Sequence, residues 1–144
     1  MARKKWPPPG SSIVEGDYAL TETWTIHLPE QFARRIEDGD LVLWRPGVTI
    51  WLAAWGNDNG ESQGKRLKKI KRDASPERFA DRESKAKNLT RYSYRLREDN
   101  DGAVDAVYGF VLNDDGHLQL AVYFDEPADE VKARNLVDSV TERS

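Results

Sequence analysis

The chain has 144 residues, with 22 Lys or Arg, 25 Asp or Glu, no cysteine and a formal net charge of −3. That length suits a single domain able to bury a core unaided, and the missing thiols exclude disulfides and thiolate metal sites. No apolar run approaches the roughly 20 residues that span a bilayer, and the basic start MARKKWPPPGSS lacks the apolar stretch of a signal peptide, so the expected location is cytoplasmic.

Residues 1–16 read as a flexible, basic, Pro-rich tail. Pro7, Pro8 and Pro9 favour polyproline II and donate no backbone hydrogen bonds. The remainder, 17–144, reads as one domain. In YALTETWTIHL, Tyr18, Leu20, Trp24, Ile26 and Leu28 share one parity and three threonines with His27 the other, which predicts a half-buried strand. Pro29 then opens PEQFARRIEDG. Proline at a first helical position, Phe32 and Ile36 four apart, and a terminating Gly39 predict a short helix.

DLVLWR and VTIWLAAW follow, joined by Pro46-Gly47. Proline presets φ at i+1 and glycine accepts positive φ at i+2, so a tight turn between two strands is expected. Val48, Ile50, Leu52 and Ala54 fill one face of the second strand. Trp51 and Trp55 share the other with Thr49 and Ala53. Bulk on both faces suggests a strand covered on both sides, and two readings of Trp51 and Trp55 stay open: core, or an exposed binding surface.

Residues 65–88, KRLKKIKRDASPERFADRESKAKN, read as a largely solvent-facing helix with a break near 73–75, where Ser75-Pro76-Glu77 resembles a helix start. LTRYSYRLR, AVDAVYGFVL and HLQLAVYF alternate, and the turns DNDG (99–102) and NDDG (113–116) separate them. Pairing Arg97 with Asp105 sets Leu96 against Ala106, Tyr94 against Tyr108 and Tyr92 against Phe110, and with Leu118, Leu120, Val122 and Phe124 at the even positions of the third strand one register is expected to bury a continuous apolar face across all three. EPADEVKARNLVDSV predicts a helix with acidic residues in its first turn and an inward stripe of Ala133, Leu136, Val137 and Val140. The expected class is α+β: a mostly antiparallel sheet of about six strands, a basic middle helix and a C-terminal helix packed on it.

This order of elements resembles the PsbP-like group of small α+β domains, which includes DcrB-like bacterial proteins. The residues carrying the likeness are Trp24-Thr25-Ile26-His27-Leu28-Pro29, Leu120-Ala121-Val122-Tyr123-Phe124-Asp125, and Ala133 through Val140, within a span of about 18–140. The resemblance implies a binding or accessory module, chaperones for secreted bacterial effectors among them, with no shared active site. Many members are exported or lipid-anchored; this chain departs from them in showing no export signal and no lipobox cysteine.

Charge is unevenly placed. Residues 65–97 hold 13 Lys or Arg against 4 Asp or Glu, and residues 98–144 hold 3 against 12. Opposite segments that neighbour one another in the fold explain this; so does a basic surface for an acidic partner. The candidate binding residues are therefore Lys65, Arg66, Lys68, Lys69, Lys71, Arg72, Arg91 and Arg95, with Trp51 and Trp55.

Signs of catalysis are few. His27 and His117 are 90 residues apart, both at strand positions expected to face solvent, and neither has metal-ligand spacing. The two Asx-Gly turns lack the ligand spacing of a calcium loop. GxSxG, GxxxxGK[ST] and GxGxxG are absent. The expected function is a non-enzymatic protein-binding or accessory module of the immunity, effector-chaperone or adaptor type, with no cofactor, metal or membrane. Nucleic-acid binding through 65–97 is the alternative. Against it, Tyr92 and Tyr94 face away from Arg91, Arg95 and Arg97, whereas single-strand binding sets aromatics and cations on one surface.

Overall fold

The structure, a computed structural model, describes residues 6–99 and 103–143. Its elements in chain order are β1 (Ser12–Ala19), β2 (Trp24–Glu37), β3 (Asp40–Arg45), β4 (Val48–Gly56), α1 (Gln63–Asp73), β5 (Phe79–Ala86), β6 (Leu89–Glu98), β7 (Val104–Leu112), β8 (Gly116–Phe124), a 3-10 turn (Pro127–Asp129), α2 (Glu130–Asp138) and β9 (Thr141–Glu142). All nine strands join one antiparallel sheet in the order β1-β2-β3-β4-β8-β7-β6-β5, with β9 added on β2. Two four-stranded meanders, β1–β4 and β5–β8, thus meet along the nine residue pairs of the β4–β8 ladder.

The molecule is sheet-dominated, which corrects the expected α+β class with six strands and a long basic helix. Three segments account for the difference. The short helix expected at 29–39 is the second half of β2. Asp38 and Gly39 both have positive φ, 53° and 87°, and form the two-residue turn of the β2–β3 hairpin, where Glu37 pairs with Asp40. Asp-Gly is a strong hairpin signal, and the helical reading mistook it for a helix end. Pro29 is tolerated because β2 bulges there: Val14 pairs with Phe32 and Gly16 with Leu28, leaving Glu15 alone opposite Pro29, Glu30 and Gln31. A strand accepts proline at such a break in its ladder.

The second correction concerns 65–88. The helix runs only over Gln63–Asp73, and residues 79–86 form β5. The expected break at 73–75 is real, but Ser75 opens a turn, its Oγ accepting from the Glu77 amide at 3.2 Å. Every residue of β5 is exposed. It is an edge strand paired only with β6, and its alternating charges guard an unpaired edge. The third correction concerns the start of the chain. The strand expected at 18–28 is split between β1 and β2, and 12–16, expected as tail, lie in β1.

A further correction concerns β8. Its even residues pair with the odd residues of β7, Val122 with Val107 and Leu118 with Val111. Leu118, Leu120, Val122 and Phe124 therefore face α2 and do not extend the Tyr92–Phe110 face as expected, a one-residue change of register that flips every side chain. The β6–β7 register and the turns agree with expectation. Tyr92 pairs with Phe110, Tyr94 with Tyr108, Leu96 with Ala106 and Arg97 with Asp105. Pro46-Gly47 closes the β3–β4 hairpin, with Gly47 at φ 86°. In the 113–116 turn, Asn113 Oδ1 accepts from the amides of Asp115 (2.9 Å) and Gly116 (2.8 Å). The turn expected at 99–102 includes residues 100–102, which lie outside the described residues.

One sheet face carries the main core. Ile26, Leu28, Leu43, Ile50, Val107, Val111, Leu118, Leu120 and Val122 are buried there against Ala133, Leu136 and Val137 of α2 and Val140 just after it. The helix touches β7 and β8 and also β2, so the sheet curls around it. Gly109 of β7 sits directly beneath Val137, and that approach brings the helix onto the strand. The opposite face carries α1, whose Leu67 packs with Tyr92, Tyr94, Phe110 and Leu112. Ser62 caps the helix by accepting from the Lys65 amide at 3.1 Å, satisfying an otherwise orphaned donor.

Candidate interaction face

Register fixes which side chains share the α1 face. One row across the sheet runs Tyr94, Tyr108, Ala121, Trp51, Val42; another runs Leu96, Ala106, Tyr123, Thr49, Trp44; a third runs Leu112, His117, Trp55. Because α1 is only 11 residues long, it covers the β6–β7 end of these rows and leaves the β3–β4–β8 end uncovered. Trp44 is sheltered by Trp6, with ring centroids 5.0 Å apart and planes at 66°. Trp51 is half-buried between Val42 and Ala121, and Trp55 is 56% exposed. The two readings of these tryptophans therefore part: Trp51 caps the face and Trp55 stands clear of it.

Trp55 stacks on His117, with centroids 6.2 Å apart and planes at 18°. His117 is half-buried, not solvent-facing as expected. Its Nδ1 is buried without a hydrogen-bond partner among the described residues. Burial first, and then the Arg66 guanidinium beside it, push the imidazole down to about 4, so the ring is neutral near pH 7. Sequence reading missed this residue because it treated each strand alone; the β4–β8 pairing alone sets His117 opposite Trp55. Next to the pair, between α1 and β8, opens a cleft of about 400 Å3 whose lining includes Trp55, His117, Gln119, Tyr94, Lys69 and Asp73.

The basic candidates are not gathered into one cationic surface. Arg66 is only 7% exposed and works as a structural bolt, donating to the main-chain oxygens of Glu61 (3.2 Å), Gly116 (2.9 Å) and Asn113. Lys65 and Lys69 both pair with Glu61, at 3.1 and 2.7 Å. These two bonds hold the Glu61 carboxyl below its ordinary range, Lys69 first. Lys71 pairs with Glu83 and lies over the Tyr92 ring, and Arg72 pairs with Asp73 at 3.4 Å. Lys68 is exposed and makes no ion pair among the described residues. Arg91 and Arg95 point to the other sheet face. Arg91 donates to the oxygens of Val137 and Val140 at the end of α2, and Arg95 pairs with Asp105 (3.2 Å) and Glu130 (2.8 Å). The basic block is thus matched mostly by Glu61 and by acids within the block itself, and only Arg95 and Arg97 pair with the acidic block, through Asp105 and Glu130, so the first of the two charge readings holds for those two arginines.

Two groupings bear on chemistry. The hydroxyls of Tyr108 and Tyr123 lie 3.0 Å apart, and Tyr108 donates to Glu98. Burial raises both phenols above the ordinary tyrosine range, so neither exchanges a proton near pH 7. Asp17, His27 and Ser139 also converge. His27 Nδ1 is 2.8 Å from Asp17, but the hydrogen bonds of Ser139 Oγ run to the main chain of His27 and Leu136. A serine whose hydroxyl is held by the main chain lacks the base contact that nucleophilic catalysis needs. Among the described residues no group of three or more His, Cys, Asp or Glu is placed to hold a metal, and no helix is long and apolar enough to cross a membrane. No protein family's sequence profile matches the chain, and no curated protein sequence is significantly similar to it.

Proposed function

We propose that the chain is a non-enzymatic protein-binding module of the accessory kind, acting in the cytoplasm as an immunity protein, effector chaperone or adaptor. Its contact surface is the uncovered end of the α1 face. The observation that carries this reading is Trp55: a tryptophan 56% exposed, held flat against His117 at the mouth of a cleft of about 400 Å3. A rigid aromatic at the rim of a partly apolar cleft is the usual anchor of a protein interface. The nearby charges are already matched, Lys65 and Lys69 by Glu61 and Arg72 by Asp73. A neutral patch of this kind suits a second protein that presents an apolar side chain to the cleft.

The same pairing weakens the nucleic-acid alternative, which needs cations free to meet phosphates. The likeness to the PsbP-like group belongs to this proposal too, supported by the three-strand meander followed by a helix on the sheet. The deciding experiment compares two variants in partner capture from lysate. Trp55→Glu is expected to release the specifically captured protein, while Lys68→Glu, Lys69→Glu and Lys71→Glu together retain it. Retention by Trp55→Glu, or release by the lysine variant alone, would overturn the assignment of the surface.

A further inference from the structure

A second cleft, of about 370 Å3, lies between the β5–β6 hairpin and α2, away from the aromatic face. Register pairs Arg82 with Ser93 and Ser84 with Arg91, so these four side chains share the sheet face that α2 covers. Arg134 reaches into the cleft from α2 and is only 5% exposed. Its terminal nitrogens donate to Ser93 Oγ (2.7 Å) and to the oxygen of Ala80 (2.9 Å). Its Nε is buried and makes no hydrogen bond; Glu130 Oε2 lies 3.7 Å away, beyond bonding distance.

The charges here are less fully matched than those around α1. Arg82 and Arg91 form no ion pair among the described residues. Arg91 is engaged only by main-chain oxygens. Two carboxylates line the cleft, Asp138 and Glu83, and Glu83 is already paired with Lys71. Arg134 shares Glu130 with Arg95, at 3.7 and 2.8 Å, so among the described residues Arg82 and Arg91 are the guanidiniums of the cleft left without an ion pair, beside the Asp138 carboxylate. Burial holds both Arg91 and Arg134 below the ordinary guanidinium range, and Arg82 nearby adds to the effect on Arg134. Clustered like charges partly withdrawn from water are unfavourable, and an anion relieves them.

We propose that this cleft is an oxyanion site of the phosphate class, in which Arg82 and Arg134 hold the anion, Arg91 supplies the field behind it, and the hydroxyls of Ser84 and Ser93 complete the donor set. Guanidiniums match tetrahedral oxyanions through paired N–H donors. Ser93 already accepts from Arg134, so its own hydrogen is directed onward. The two guanidiniums without an ion pair among the described residues of the cleft, Arg82 and Arg91, together with Arg134, suit a dianion better than a carboxylate. The ligand is free phosphate or a small phosphate monoester, both of which present the same terminal oxygens.

The test is an amide-nitrogen NMR titration of the full chain with inorganic phosphate, with chloride at matched ionic strength as control, repeated with phenyl phosphate. Saturable shifts confined to β5, β6 and the end of α2, absent with chloride, are expected. Tighter binding of phenyl phosphate assigns the site to monoesters, and equal or weaker binding assigns it to free phosphate. Arg82→Gln, at an exposed position on an edge strand, is expected to keep the fold and weaken phosphate binding by about tenfold or more. Shifts that chloride reproduces, no shifts at all, or unaltered affinity in Arg82→Gln would overturn the assignment. The aromatic-face reading is independent of each of these results.

Discussion

Replacing Gly109 with alanine probes how closely α2 is held on the sheet. A Cβ at this position would stand 2.5 and 2.6 Å from the two Cγ atoms of Val137 and 3.1 Å from its Cβ, against about 3.5–4.0 Å for carbons in favourable contact. Val137 is 1% exposed, and as a β-branched residue in a helix it has one strongly preferred rotamer. The helix must therefore move outward by about 1 Å, loosening Ala133, Leu136 and Val140, all buried in the same stripe. Overpacking of this kind costs about 1–3 kcal/mol, while alanine in a strand recovers roughly 0.5–1 kcal/mol of backbone entropy. The net expectation is a loss of about 1–2 kcal/mol, read as a lower urea midpoint at unchanged m. In a thermal melt the same loss is about 2–8 °C. Val137→Ala removes the clashing methyls, so the double variant should be more stable than the sum of the single losses by about 1 kcal/mol. Wild-type stability in Gly109→Ala, or simple additivity with Val137→Ala, would refute the close contact.

Further outcomes are expected from three other positions. Arg66→Met strands the carbonyls of Glu61, Asn113 and Gly116 and should cost about 3 kcal/mol in urea unfolding, whereas Lys68→Met should stay within about 0.5 kcal/mol; equal effects would contradict the bolt role of Arg66. Ser62→Ala removes the cap of α1 and should cost about 1 kcal/mol, with faster amide exchange confined to the first turn of that helix. For His117, the folded pKa of about 4 lies below the ordinary value near 6.5, so below pH 6.5 the unfolded chain binds more protons. Its contribution to stability is thus fully present above about pH 6.5 and is lost as pH falls towards 4. A carbon-proton NMR titration of the ring should show a midpoint near 4, and His117→Gln should flatten the acid limb of the stability curve; an ordinary midpoint would mean that the ring is solvated.

The sequence reveals the β6–β7 register, because only one pairing brings Tyr92, Tyr94 and Leu96 onto the same face as Phe110, Tyr108 and Ala106; β8 is misread, since alternation alone leaves open which of its faces joins theirs, and its apolar residues turn to α2. The sequence also reveals α2, through a stripe at spacings of three and four. The failures occur where local pattern and tertiary pairing disagree. PEQFARRIEDG carries a helical pattern and a proline at its start, yet the ladders to β1 and β3 hold it extended. FADRESKA has no face at all, and only its pairing with β6 makes it a strand. The candidate sites follow the same rule. Trp55 stands out in the sequence by size, but His117, Arg82 and Arg134 become neighbours of anything notable only through long-range register. The basic run at 65–72 draws attention because its cations are consecutive, and the fold then neutralises most of them with Glu61, Asp73 and Glu83.

The β4–β8 ladder divides the chain in a further sense. Within each four-stranded meander, partner strands are joined by short connections, so contacts there are local and quick to form. The ladder between Val48–Gly56 and Gly116–Phe124 closes a loop of some sixty residues and has to wait for both halves. The break between the halves falls in the polar loop 57–60, before the cap of α1. Separate polypeptides 1–60 and 61–144 should each expose one side of the shared core and aggregate or stay partly folded alone. Mixed at equal concentration, they should recover the near-ultraviolet dichroism of the intact chain, a reconstitution that Leu120→Asp, at the centre of the ladder, would abolish.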